Sequence, residues 1–395
     1  MTAVDFTAQV EALRETMIAR RRDLHQHPEI AFEEVRTAGI VARTLSALGL
    51  EVRTGVGKTG VVALLEGAKE GPTVLVRADM DALPIQEDTG AEYASQAPNR
   101  MHACGHDGHT SIALAVAEML SGQRDSLAGR VKFVFQPAEE IGRGAQAMVD
   151  DGALLDPRPD VSLGLHLLNS LPYGTLGIAD GAVMAGASIF RVRIVGKGSH
   201  AASPHQGLDP VVCAAQIIGA FQTIVSRSLD PLETLVISVT KINAGEAYNI
   251  IPQTAEIAGT VRAFSRQVRD LAFERMAAIA SGYAGSFGCT AELSFDHLTI
   301  PVVNHAQTAA RVRAQFSGID GVTAIDQTAR TMGSEDVSLF MDDIPGVYFF
   351  VGAQDETQTD YYGHHHPRFT FDERALTLGA HLLTNAVASY VLPKD

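Results

Sequence analysis

At 395 residues the chain is too long for one ordinary core, so two domains are expected, and a hydrophobic fraction of 46% fits a folded α/β protein. A net charge of −15, with no basic cluster beyond an Arg20-Arg21-Arg22 triplet read as a solvated helix face, argues against nucleic-acid or anionic-membrane partners. No apolar run is read as membrane-spanning, the N-terminus lacks the form of a signal peptide, and the scattered Cys104, Cys213 and Cys289 make no disulfide framework, so a cytoplasmic location is expected.

Residues 4 to 24 have helical periodicity through Val10, Leu13, Met17 and Leu24. They lead into Leu24-His25-Gln26-His27-Pro28-Glu29, whose histidine pair resembles a metal site but reads as structural, ahead of a second helix from Thr37 to Leu48. Val61 to Leu65 is the first clear strand. Thr73 to Ala78 is a run of apolar β-formers, as in a strand covered on both faces, and Asp79 and Asp81 stand at its C-terminal end. The same pattern recurs where Val131–Phe135 runs into Gln136-Pro137-Ala138-Glu139-Glu140, where Asp160–Leu165 runs into His166, and where Gly346–Val351 leads to His364-His365-His366-Pro367. Ligand crevices of open α/β sheets lie beyond the carboxyl ends of the strands, so these residues converge if the strands are parallel neighbours.

Between the first two of these strands lies Met101-His102-Ala103-Cys104-Gly105-His106-Asp107-Gly108-His109, a loop dense in metal-capable side chains that enters a buried helix, Thr110 to Leu120. The helix N-terminus is expected to favour the Cys104 thiolate. Ala187–Val195, Asp209–Ser228, Leu235–Lys241, Glu256–Arg262, Gln267–Ser281 and Thr290–Phe295 then read β-α-β-β-α-β. The expected fold is therefore α/β: a helix-covered, largely parallel sheet built from residues 1–183 and 297–395, carrying an inserted ferredoxin-like α+β domain at 184–296.

Cys104, His106, Glu140, His166 and His365 suit zinc or a similar divalent ion, and five donors exceed what one tetrahedral ion needs, so two ions are the economical reading. An ion pair of this kind lowers the pKa of a water and polarises a carbonyl, with Glu139 as the general base.

The segments RADMDALPI, MHACGHDGHT, FQPAEE, GLH, GKGSHAASPH, Tyr248-Asn249-Ile250-Ile251-Pro252, MGSED and HHPRF together resemble the hippurate hydrolase and indole-acetyl-amino-acid amidohydrolase branch of the dinuclear zinc aminoacylase and carboxypeptidase family, across nearly the whole chain. The resemblance implies that Cys104, His106, Glu140, His166 and His365 are the metal ligands, His365 being chosen over His364 because it fills the His-x-Pro position. It makes Glu139 the catalytic base and matches Asp81 to an aspartate that supports a ligating histidine two residues earlier, a position held here by Asp79. The inserted domain resembles a lid and dimerisation domain. His200 then stabilises the oxyanion, in some relatives from the neighbouring subunit, while Asn249 and Arg262 hold the substrate carboxylate. Met80, Met101, Met184 and Met332 read as core filler before acyl-pocket lining.

The implied reaction is metal-dependent hydrolysis of an N-acyl or N-aroyl amino acid to a carboxylic acid and a free amino acid by a homo-oligomer, dimer or tetramer. Zinc is the first choice of metal, with manganese, cobalt or nickel as alternatives. Carboxypeptidase or dipeptidase action and N-acetyl-diaminopimelate deacetylation share the same site; an idle metal-binding scaffold and a redox role for Cys104 are the readings from other classes.

Overall fold

The computed structural model describes residues 5–357 and 360–392; Val4, the expected start of the first helix, and the outermost residues of the expected larger domain lie outside them. The chain divides into two compact units, Met1–Val183 with Val303–Arg330 and Asp336–Asp395, and Met184–Val302 with Thr331–Glu335. The second unit thus runs past residue 296, and it takes in a short return segment through the bridge of Met184 to Thr331 and the Ala185 amide bonded to Gly333.

The first unit holds strands β1 (Glu51–Val56), β2 (Gly60–Glu66), β3 (Lys69–Asp79), β4 (Ala128–Gln136), β5 (Val161–Pro172) and β6 (Thr175–Gly177), with β7 (Gly181–Met184) at the joint. The second holds β8 (Gly186–Val195), β9 (Ser199–His200), β10 (Leu235–Ala244), β11 (Ile250–Ile251), β12 (Thr254–Ala263) and β13 (Thr290–His297). After the second joint strand, β14 (Val302–Asn304), the chain adds β15 (Ala324–Asp326) and β16 (Gly346–Gln354) to the first unit.

The larger sheet has the order β1-β2-β4-β3-β5-β16-β6-β15. Its centre, β4-β3-β5-β16, is parallel throughout, so the four strands whose ends carry metal-capable residues are consecutive neighbours, as the sequence implies. One expectation is corrected: β5 continues to Pro172, so His166 lies inside the strand, paired with Phe350, and not at its end. Polar Asn169 and Ser170 disguise that continuation: pairing with β16 runs to Leu168 and resumes at Pro172 past an irregularity.

Helices α1 (Thr7–Gln26), α2 (Val35–Ala47), α3 (His106–Ser121) and α4 (Gly144–Asp150) are joined late in the chain by α7 (Ala306–Phe316) and α8 (Arg374–Val391). From Ile112 to Leu120 α3 is apolar and buried except at Glu118, the mark of a core helix; it packs on β3, α1 and α8. The Arg20-Arg21-Arg22 triplet is not a solvated face. Arg21 is fully buried on the side of α1 that carries Val10, Met17, Leu24 and His25, while Arg20 pairs with Glu118 and Arg22 with Glu373.

In the second unit the antiparallel sheet β10-β12-β8-β13 carries α5 (Pro210–Thr223) and α6 (Arg266–Ser286), which is the ferredoxin-like arrangement. Both helices begin at sequence-encoded caps: Asp209 accepts the Val211 amide ahead of Pro210, and Ser265 accepts the Val268 amide. Contrary to expectation, one stretch, Pro210–Ser228, is long and apolar enough by composition to cross a membrane. Its Cys213, Ile217, Phe221 and Ile224 are buried in the core of this unit, which accounts for that composition.

Candidate metal centre

The loop after β3 and the N-terminus of α3 set the first donors. Gly105 takes the left-handed backbone conformation at φ 92°, which lets the chain turn from Cys104 directly into a helix whose first residue is His106. Cys104 Sγ lies 3.6 Å from His166 Nε2, and with His106 these atoms form one close group. A second group unites Cys104, Glu140 and His365, with His365 Nε2 at 3.4 Å from Glu140 Oε2. His106 Nε2 stands 3.8 Å from Glu140 and 4.0 Å from Glu139, which links the groups. The five expected donors and Glu139 are therefore brought together.

Two of the three imidazoles are oriented through their other nitrogen, as metal-binding histidines usually are. His106 Nδ1 donates to the Asp81 carbonyl at 2.8 Å, and His166 Nδ1 to the Leu167 carbonyl at 2.8 Å, so both present Nε2 to the cluster. His106 Nε2 and Glu140 Oε1 are buried with no hydrogen-bond partner. Leaving such atoms unsatisfied is costly, and a divalent cation among a thiol, imidazoles and a carboxylate would satisfy both.

Burial dominates the protonation behaviour. It pushes the Cys104 thiol well above its usual value, helped by the neighbouring Glu140 carboxylate, while His106 acts in the opposite direction. Glu140 rises to about 7, chiefly through burial, and His166 is pushed well below the usual imidazole range by burial and then by His109 and His364. His106 moves the other way: although burial opposes its charge, Asp79 and Cys104 raise it well above the usual range.

Asp81 does not support its neighbour two residues back. Its carboxylate accepts the Glu139 and Glu140 amides, each at 3.0 Å, and so fixes the backbone of the glutamate pair. Asp79 is engaged by His109 Nδ1 and Arg77, each at 2.7 Å. His109 Nε2 in turn accepts the Leu167 amide, which leaves His109 no free nitrogen for a metal. Its spacing three residues after His106 on one helix was the available signal for this role. Asp336, from the MGSED segment, accepts Gln136 Nε2 at 2.6 Å and the Ala145 amide at 3.0 Å. Gly144 cannot be replaced without disturbance, since a Cβ there would stand 1.5 Å from the Pro137 carbonyl oxygen.

A model of peptidase family M20/M25/M40 matches residues 75–389. The chain belongs to this family. It is 42% identical over 326 residues to an N-acyl-L-amino acid amidohydrolase of Geobacillus stearothermophilus, covering 82% of this chain and 86% of the relative. An N-acetyl-L-cysteine deacetylase of Bacillus subtilis is 39% identical over 374 residues, 95% of this chain and 88% of that one. The crystal structure of the Bacillus subtilis YXEP protein, described as a dinuclear metal binding peptidase from the M20 family, superposes with a TM-score of 0.84 at 34% identity, covering 96% and 99% of the two chains. This M20 family member is accordingly a metal-dependent amide hydrolase.

The remaining expected site residues belong to the second unit. His200 and Asn249 are exposed neighbours: β9 pairs with β11 through His200 and Ile250, and the Ala201 amide donates to the Asn249 carbonyl at 2.9 Å. His200 Nδ1 accepts the Ala202 amide at 3.0 Å. Arg262 stands apart from that pair on β12, in register with Val236 and Ala187. Met80 and Met101 are core residues of the first unit, and Met184 is buried as well. His25 and His27 are structural, His25 bonded to Asp107 at 2.8 Å and His27 to the Asp23 carbonyl at 2.8 Å.

Proposed function

We propose that the enzyme hydrolyses the amide bond of N-acyl or N-aroyl amino acids of the hippurate type, releasing a carboxylic acid and a free amino acid. The reading is carried by the convergence of Cys104, His106, Glu140, His166 and His365 around two buried atoms that lack hydrogen-bond partners, with Glu139 beside them. These five residues would hold two divalent ions, zinc first, with manganese, cobalt or nickel as alternatives. When bound, the ions supply Lewis acidity that polarises the scissile carbonyl and acidifies water.

Glu139 takes the proton of the attacking water and passes it to the departing amine. Asp81 keeps that carboxylate in place through the two amide bonds to the Glu139–Glu140 backbone. His200 acts as a donor to the developing oxyanion, and Asn249 with Arg262 receives the free carboxylate of the amino-acid product. The second unit then serves as lid and dimerisation domain. The three cysteines are free thiols, in keeping with a reducing, cytoplasmic setting.

The test is release of amine from hippurate, N-acetyl amino acids, indole-acetyl-amino acids and a dipeptide, by enzyme stripped with chelator and reloaded with zinc or manganese. Cleavage of an N-acyl or N-aroyl amino acid that disappears on stripping and returns on reloading is the expected result. Cleavage of the dipeptide alone would assign a peptidase, and no cleavage with either metal would contradict the reading.

A further inference from the structure

The turn that carries Glu139 is held by a residue far away in sequence and outside the motifs that mark the metal site. Glu34, at the start of α2, is fully buried, and its Oε1 accepts the amides of Phe32 and Ala138, both at 2.9 Å. Its Oε2 accepts the Thr59 hydroxyl. Two carboxylates thus receive three successive amides of one turn, Glu34 that of Ala138 and Asp81 those of Glu139 and Glu140.

The turn needs such holding. Ala138 sits at φ 52°, a left-handed conformation that a non-glycine residue adopts only under constraint, and Glu139 follows directly. The Ala138 carbonyl is fixed as well, accepting the amides of Arg143 and Gly144. Release of the Ala138 amide would free the backbone to relax toward the ordinary region and rotate the next side chain away from the cluster.

We propose that Glu34 is a positioning residue for Glu139, clamping Ala138 in its left-handed conformation so that the base faces the metal-binding donors. The proposal rests on the reading of Glu139 as the base. Glu34→Asp keeps the charge but shortens the side chain by one methylene, so one oxygen no longer bridges Phe32 and Ala138. Glu34→Gln keeps an oxygen acceptor of full reach, and burial already favours an uncharged group at this position by raising the Glu34 carboxyl.

The experiment measures kcat, KM and bound metal for wild type, both Glu34 variants and Glu139→Gln, on whichever substrate the panel identifies. Glu34→Asp is expected to lower kcat by about ten- to a hundredfold, the scale of an ångström misplacement, with KM within about twofold and metal content unchanged, while Glu34→Gln stays within about threefold of wild type. Wild-type kcat in Glu34→Asp overturns the proposal. So does a loss confined to KM, metal or folding, or an equal loss of kcat in Glu34→Gln. Full activity in Glu139→Gln would instead overturn the base reading itself, and the positioning role with it.

Discussion

Replacing Glu139 with Gln is expected to lower kcat at least about a hundredfold, the usual contribution of a general base, with bound metal and the unfolding midpoint close to wild type. The amide keeps the size and one acceptor oxygen of the carboxylate but cannot take a proton. The backbone of the turn is held independently, through the amides of residues 138, 139 and 140, so the substitution leaves the Asp81 and Glu34 bonds in place. KM is expected to change little, because proton transfer is an interaction of the transition state. Kinetics with metal analysis on the same samples checks this. A comparable loss of metal and activity together would make Glu139 a ligand.

Arg21→Met is expected to destabilise the protein by about 3–5 kcal/mol, the cost of leaving a buried charge without its partner. The Arg21 guanidinium meets Asp107 Oδ2 at 2.8 Å with both side chains buried, lies between the rings of Tyr93 and Phe371, and reaches Glu373 at 3.3 Å. Asp107 directly follows His106, so the pair ties α1 to the start of the helix that presents a metal donor. Against the opposing effect of burial, Arg21 and then His25 hold the Asp107 carboxyl far below the usual range. Its stabilising contribution is therefore complete at neutral pH and fades only in strong acid.

His25 sets how the cost varies with pH. Burial and Arg21 lower its pKa, but bonds to Asp107 and Glu87 leave it raised overall. A raised folded value gives stability that is present below the unfolded value of about 6.5 and lost as pH rises through the folded one. Without Arg21 the histidine holds its proton to higher pH and partly neutralises Asp107. The penalty measured by denaturant unfolding is therefore expected to be smaller near pH 6 and to grow above the His25 pKa. A penalty under about 1 kcal/mol at pH 8 would show that the pair is not a buried charge interaction.

The central strands were legible because a strand covered on both faces is rich in apolar β-formers, and Thr73–Ala78, Val131–Phe135 and Gly346–Val351 are such runs, with Arg77 and Lys132 the only charges in them. The donor set was legible for a related reason: Cys104 and His106 flank a glycine, and no core requires that chemistry. What escaped is information carried by distant partners. The Asp81 carboxylate faces a turn 58 residues later in the chain, and Glu34 one that is 104 residues later, separations at which no local pattern exists. Arg21 was hidden differently. It shares a helical face with Met17 and Leu24, but a charge between two other arginines reads as solvated unless a buried carboxylate is known to await it.

The same limit applies to Cys104. Its place before α3 suggested a thiolate, whereas the burial that pushes the thiol upward comes from packing around the whole cluster. His200, Asn249 and Arg262 were singled out by resemblance; the first two lie where β9 pairs with β11, and Arg262 lies on β12.

The central claim is that Cys104, His106, Glu140, His166 and His365 form one dinuclear centre beside Glu139. Anomalous diffraction from crystals of zinc-loaded enzyme tests it most directly. The expected result is two peaks about 3.5–4 Å apart, both within bonding distance of those five side chains, with Asp79 and His109 still bonded to each other. A single peak, or an ion held by Asp79 and His109, would contradict it.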